Sequence, residues 1–337
     1  MTNNVRLDSS ANEHCSFHLT DPAFPRNTAA EWDAHLVSRC RRAAFHSASF
    51  PWRNSMHVGL GLPISDPAAL LDWARRADAG PFRTLGLLDR LVYDNPEPLI
   101  ALATLAGATS RVKVQTEVLL APLRDPVLLA KQVATLDRMS GGRLVLGLGV
   151  GGRADDHRAS GTELRTRGRR LDAHLTLMRR LWAGEPYDAE CGPIGPAPLR
   201  PEGPEILFGG FQPAALDRVG RWGGGFLAAV APSWAGKLFD TARRSWTDHG
   251  RAGEPRIVAQ VNVALGPDHV IEDARASMGA YYGFSDYTEG ILAGMLTTPA
   301  QIRTTIAEFG DLGADEVMFY CYGRDADQID RLADALP

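Results

Sequence analysis

Long apolar runs are missing from this chain. No stretch of its 337 residues approaches the roughly 20 uninterrupted apolar residues that a membrane helix needs. A dominant charge is missing too: 36 basic against 40 acidic side chains leave −4, so neither nucleic acid nor an anionic membrane is an expected partner. Cysteine is scarce. Cys15, Cys40, Cys191 and Cys321 stand far apart with no CxxC pair, which argues against a disulfide framework or a structural zinc site and suits a reducing cytoplasm. What remains is ordinary globular composition, 45% apolar and 23% charged, enough to build a large core.

Residues 1–55 do not match the rest. They hold four of the nine histidines and two of the four cysteines, with little apolar periodicity beyond a short helical possibility around Ala29–Phe45. They lack a basic start followed by an apolar run, so they do not read as a secretory signal. At Met56 the text turns regular (HVGLGLP). The segment is either a functional arm or the result of a start codon placed too early, and the second is the expectation, with Met56 opening a single domain over 56–337.

From Met56 onward, short apolar runs alternate with longer stretches of helical period. Strands are expected at His57–Pro63, Phe82–Leu88, Val112–Leu120, Arg143–Val150, Glu205–Gly210, Gly225–Val230, Arg256–Leu265 and Glu316–Tyr322. Helices are expected at Pro67–Ala79, Glu97–Ala108, Pro126–Met139, Gly161–Trp182, Pro213–Trp222, Ser233–His249, Val270–Tyr282, Pro299–Leu312 and Ala326–Leu336. Asp66-Pro67, Asp125-Pro126 and Thr298-Pro299 each set a capping side chain before a proline at the first helical position. Strands this apolar suit a parallel sheet covered by helices. Eight such units in about 250 residues describe an α/β fold, a closed (β/α)8 TIM barrel; a doubly wound open sheet would have fewer strands and two edges. Gly184–Pro204 lies between a helix and the next strand, which puts it at the bottom face in a structural role.

Residues 147–152, GLGVGG, satisfy G-x-G-x-x-G after a strand. A dinucleotide site would need a helix opening at the third glycine, and here the expected helix starts only near Gly161. The glycines fit better as places where a flat ligand or a phosphate approaches the strand closely.

Barrel enzymes keep their chemistry on the loops after the strands. Asp89-Arg90 follows the second strand and could orient a substrate or form a surface ion pair. Glu117 sits inside the apolar third strand, where a carboxylate must face the mouth or be paired. Gly209-Gly210, followed by Phe211, Gln212 and a helix starting at Pro213, makes an anion cradle of backbone N–H groups and a helix dipole. Arg153, beyond the fourth strand, could add a charge to the same anion or stand exposed. Tyr320 and Tyr322 share one face of the last strand and either line the mouth, against substrate, or fill core. Asp155-Asp156-His157 look like metal ligands, but adjacent acids point apart and no second cluster matches them, so no metal is expected. No Ser–His–acid set is visible.

The stretch VKVQTEVLLAPLRDPVLLAKQVATLDRMSGGRLVLGLGVGGRADD, residues 112–156, closely resembles the bacterial luciferase-like flavin-dependent oxidoreductases. So do LLDRLVYDNPEPLIALATLAGATSRV before it and LFGGFQPAALDRVGRWGGGFLA after it, and the likeness runs from Met56 almost to the end. The resemblance implies a barrel that binds reduced FMN, or the deazaflavin coenzyme, at its carboxyl end. It implies a non-proline cis peptide at Glu117–Val118, a cofactor phosphate near Gly209, Gly210, Phe211 and Gln212, and Gly149 and Gly151 below the ring. Asp89 and Arg90 stand where many deazaflavin-using relatives have Asp-His, and Glu117 where relatives often have a small residue.

The activity implied is monooxygenation of a small organic substrate with O2, with reduced FMN supplied by a separate reductase. Hydride transfer with deazaflavin is the alternative, and a flavin-binding protein without turnover a third. A cytoplasmic homodimer is the implied setting, and Tyr281–Thr298 a candidate lid.

Overall fold

The computed structural model describes residues 56–62 and 66–337; the expected extension over residues 1–55 lies outside the described residues. Nine strand segments lie in one sheet: β1 (His57–Gly61), β2 (Thr84–Leu87), β3 (Lys113–Thr116), β4 (Leu119–Leu120), β5 (Leu144–Gly149), β6 (Glu205–Gly209), β7 (Gly225–Ala229), β8 (Arg256–Val263) and β9 (Glu316–Cys321). Every pairing is parallel. The order is β3-β2-β1-β9-β8-β7-β6-β5-β4, and β3 also pairs with β5, which closes the ring. β3 and β4 are two halves of the single third strand expected from sequence, parted at Glu117-Val118. The protein is therefore an eight-stave (β/α)8 barrel.

The helices are α1 (Leu70–Ala79), α2 (Pro98–Ala108), α3 (Pro126–Met139), α4 (Ala154–Ala159), α5 (Arg167–Trp182), α6 (Pro213–Trp222), α7 (Pro232–Asp248), α8 (Asp268–Tyr282), α9 (Thr288–Ala293), α10 (Pro299–Asp311) and α11 (Gln328–Ala335). No helix among the described residues is long and apolar enough to cross a membrane. The proline-linked caps form: Asp66 accepts from the Ala68 N–H, Asp125 from the Val127 and Leu128 N–H groups, and Thr298 builds a capping box with Gln301.

One helix expectation is corrected. Gly161 does not begin a helix; it ends one. The ADDHRA segment winds into α4, with Asp155 and Asp156 in its first turn where the helix dipole favours acids. Gly161, at φ +68°, then stops it, and α5 begins only at Arg167. The short α9 is a further helix that the sequence pattern did not reveal.

Alternation along the staves divides the core. Outward residues such as Leu60, Leu85, Leu146 and Phe319 meet the helices through Trp73, Leu102, Val133, Leu175, Phe239 and Phe309. Inward residues Val145, Leu207, Leu227, Val258 and Met318 fill the middle of the lumen, with Val118 against them. Small residues make room for large ones: a Cβ on Gly59 would lie 2.0 Å from the Met318 sulfur, and one on Gly61 would lie 2.3 Å from the Tyr320 ring. The amino-terminal end of the lumen is ionic. Glu205 pairs with Lys113 (3.2 Å) and Arg256 (3.0 Å), and Arg256 also holds Glu316.

Candidate active site

The carboxyl rim is assembled from loops that side chains clamp over long sequence separations. After β2, the buried Asp89 carboxylate accepts from the Leu120 N–H (2.8 Å) and from both terminal nitrogens of Arg124 (2.6 and 3.1 Å). Its oxygens thus tie the β2 loop to the end of β4. Arg90 is not a surface residue. Its Nε donates to Asp156 (3.1 Å) and one Nη to the Val92 carbonyl (3.0 Å), while the other Nη is buried without a partner. The second oxygen of Asp156 accepts from the Leu91 and Val92 N–H groups (3.1 and 2.7 Å). Asp156 therefore works as a loop clamp, and His157 is engaged by Thr162 and the Val150 carbonyl. Among the described residues no group of three or more His, Cys, Asp or Glu side chains could hold a metal ion.

Glu117 lies inside the barrel, 3% exposed, in the space that Gly86 leaves open: a Cβ there would sit 2.7 Å from the carboxyl carbon. Burial pushes its carboxyl up to about 8, against weaker opposing pulls from Gln115 and Tyr320. Gln115 donates its amide N–H to one oxygen. The Tyr320 hydroxyl lies near the carboxyl but forms no well-made hydrogen bond with it, and both it and the second Glu117 oxygen are buried without partners. At neutral pH this carboxyl is mostly protonated, so it can donate as well as accept a proton.

The peptide between Glu117 and Val118 is cis. Val118 is pressed against two glycines: a Cβ on Gly149 would meet its Cγ2 at 2.3 Å, and one on Gly209 its Cγ1 at 2.8 Å. Those two glycines are accordingly spent on accommodating the protein's own valine. This is a physical reason for them beside those read from the sequence, close ligand approach for Gly149 and an anion cradle for Gly209. Gly151 takes φ +71° beside His157, and Gly210 takes φ +143°, where an added Cβ would meet Ala215 at 2.7 Å. Phe211 and Gln212 follow, both exposed, and no side chain caps the start of α6.

Tyr320 and Tyr322 do share a face, but they are sealed from solvent rather than lining an open mouth. α8 lays Tyr281 and Tyr282 over them, and the Tyr322 hydroxyl donates to that of Tyr282 (3.2 Å). Arg153 is half-buried; it binds Asp155 (2.8 Å) and sits 4.1 Å over the Phe284 ring. Phe284 also lies 5.8 Å from the Arg90 guanidinium, beside Tyr93 and Tyr281 at 5.3 and 5.6 Å. Tyr281, Tyr282 and Phe284 thus cover the β2, β9 side of the rim. Sequence reasoning missed Gln115, although it shares Glu117's alternation in an apolar strand, and it singled out Asp156, Tyr281 and Phe284 only as a metal-ligand look-alike and as parts of a candidate lid, without their contacts to Arg90.

The model of the luciferase-like monooxygenase family matches residues 46–301, and the chain belongs to that family. The uncharacterized protein Rv0953c of Mycobacterium tuberculosis is 31% identical over 245 residues, covering 60% of this chain and 83% of its own. An F420-dependent glucose-6-phosphate dehydrogenase of Microbacterium testaceum is 30% identical over 221 residues, 60% of this chain and 66% of its own. Among solved structures, the oxygenating constituent of 3,6-diketocamphane monooxygenase from Pseudomonas putida, in complex with FMN, superposes with a TM-score of 0.64 at 15% identity. That match covers 84% of this chain and 96% of the other.

Proposed function

We propose that the chain is an oxidoreductase that holds reduced FMN across the carboxyl rim and uses O2 to monooxygenate a small organic substrate, with a separate reductase supplying the reduced coenzyme. The observation that carries this reading is the α6 start. Gly210 holds a backbone conformation that excludes a side chain, and the helix behind it has donors that no side chain caps. Such an end suits a phosphate tail. Phe211 and Gln212 extend the cradle, and the Val118 bulge faces the lumen as a support for a flat ring. Reduced flavin supplies the electrons for O2 activation when bound. The protein's own work is to orient, to exclude water and to manage protons. Tyr281 and Tyr282 shield the lumen, and the free Arg90 nitrogen is a donor for a polar substrate edge. Glu117 holds a proton at its carboxyl near the lumen axis.

Glu117 also favours a second reading, hydride transfer with deazaflavin, because that chemistry needs an acid or base beside the substrate and one relative carries F420 in its name. Titrating the protein anaerobically with reduced FMN and with deazaflavin, then admitting air and measuring substrate-dependent oxygen uptake, separates the two. Tight reduced-FMN binding with oxygen uptake coupled to an oxygenated product is the expected result. Tight deazaflavin binding with negligible FMN affinity would overturn the monooxygenase reading.

A further inference from the structure

At the opposite end of the barrel, a cavity of about 380 Å3 opens between the last turn of α5, the approach to β6, the α6–β7 turn and the end of α7. Its lining includes Arg179, Arg200, Arg251, Glu202, Glu205 and Trp222. Of the acids, Glu205 is already neutralised by Lys113 and Arg256. Three guanidinium groups therefore face one free carboxylate.

Two of the three are fixed in place by neutral acceptors. Arg179 donates to the Trp222 carbonyl, and Arg251 to the Gly220 and Gly223 carbonyls (3.0 Å each). Arg251 also stacks on the Trp246 ring at 4.1 Å. Neither has a carboxylate partner among the described residues, and the exposed Arg200 side chain makes no ion pair or hydrogen bond there. Burial, and after it the charge of Arg251, hold the Arg179 pKa below its usual value, with Glu202 opposing. Finally, the Arg179 Nε and the Trp222 indole N–H are buried donors with no acceptor. Unneutralised, pre-positioned guanidiniums call for an oxyanion with several acceptor atoms.

We propose that this cavity is a binding site for a small phosphorylated anion, remote from the rim. Its volume lies near the lower end of the ~300–1,000 Å3 typical of small-molecule sites, which suits a pyrophosphate or a mononucleotide-sized ester. The site is independent of the rim chemistry.

Calorimetric titration of the full chain at low salt tests it, using inorganic pyrophosphate and AMP as probes and tryptophan fluorescence as a second readout. One saturable site for either probe is expected, weakened at least about tenfold in Arg200→Glu, a change at an exposed position that leaves folding intact, and in Arg179→Gln. AMP binding with that pattern assigns the phosphate to a nucleotide-sized carrier; pyrophosphate binding alone assigns it to the free anion. Gly210→Asp, at the other end of the barrel, is expected to leave the affinity unchanged. The proposal is overturned if neither probe saturates, if both arginine variants bind as well as wild type, or if Gly210→Asp alone abolishes binding.

Discussion

The two ends of the lumen treat buried polar groups in opposite ways. At the amino end, Lys113, Glu205, Arg256 and Glu316 satisfy one another, leaving only one Glu316 oxygen and the Thr84 hydroxyl unmet. At the carboxyl end, a Glu117 oxygen, the Gln115 carbonyl, the Tyr320 hydroxyl and an Arg90 nitrogen are all buried without partners. Burying an unpaired polar group costs stability, so a cluster of them is unexpected where folding alone sets the sequence. Inside the lumen, then, the amino end is built to be stable and the carboxyl end to be completed by something else.

The largest expected effect is at the paired end. Arg256→Ala strips the buried Glu316 carboxylate of its partner and takes one of two cations from the half-buried Glu205, and should cost about 3–5 kcal/mol in urea unfolding. A cost under about 1 kcal/mol would mean that water already serves the network. Next comes the fit of Val118. Gly149→Ala places a methyl against it and should destabilise by about 1–3 kcal/mol, and Val118→Gly in the same chain should recover part of that loss. An additive double variant would show that the two positions do not touch.

A smaller, pH-dependent effect belongs to Glu117. Its folded pKa of about 8 lies above the ordinary glutamate value of 4.5, so the folded state binds the proton more tightly. Its contribution is fully present below about pH 4.5, declines as pH rises, and is lost above about pH 8. Glu117→Gln, which cannot ionise, should therefore gain on wild type in melting temperature between pH 5 and 8. Parallel curves would show that the carboxyl is already charged at neutral pH.

Much of the barrel was legible in local text. Short apolar runs marked all eight staves, and the acid–proline and threonine–proline pairs marked helix starts. The Asp89-Arg90 and Glu117 positions also stood out, because charge inside or beside an apolar strand is locally odd. Their partners did not. Asp156 reaches Arg90 across 66 positions, and Gly149 and Gly209 answer to a valine on another stave. The α8 tyrosines cover Tyr320 and Tyr322 through packing that no window of sequence contains. Residues 200–204, read as a structural connection, line a charged cavity only because the ends of α5 and α7 and the α6–β7 turn bring Arg179, Arg251 and Trp222 beside them.

The most direct measurement is anaerobic equilibrium binding of reduced FMN to wild type and to Gly210→Asp, with melting curves to show that both are folded. An aspartate there adds bulk and negative charge at the α6 start, so the account predicts saturable binding by wild type and at least about a tenfold loss in the variant. Equal affinity in two folded proteins would contradict it, because the α6 start would then not hold the cofactor's phosphate.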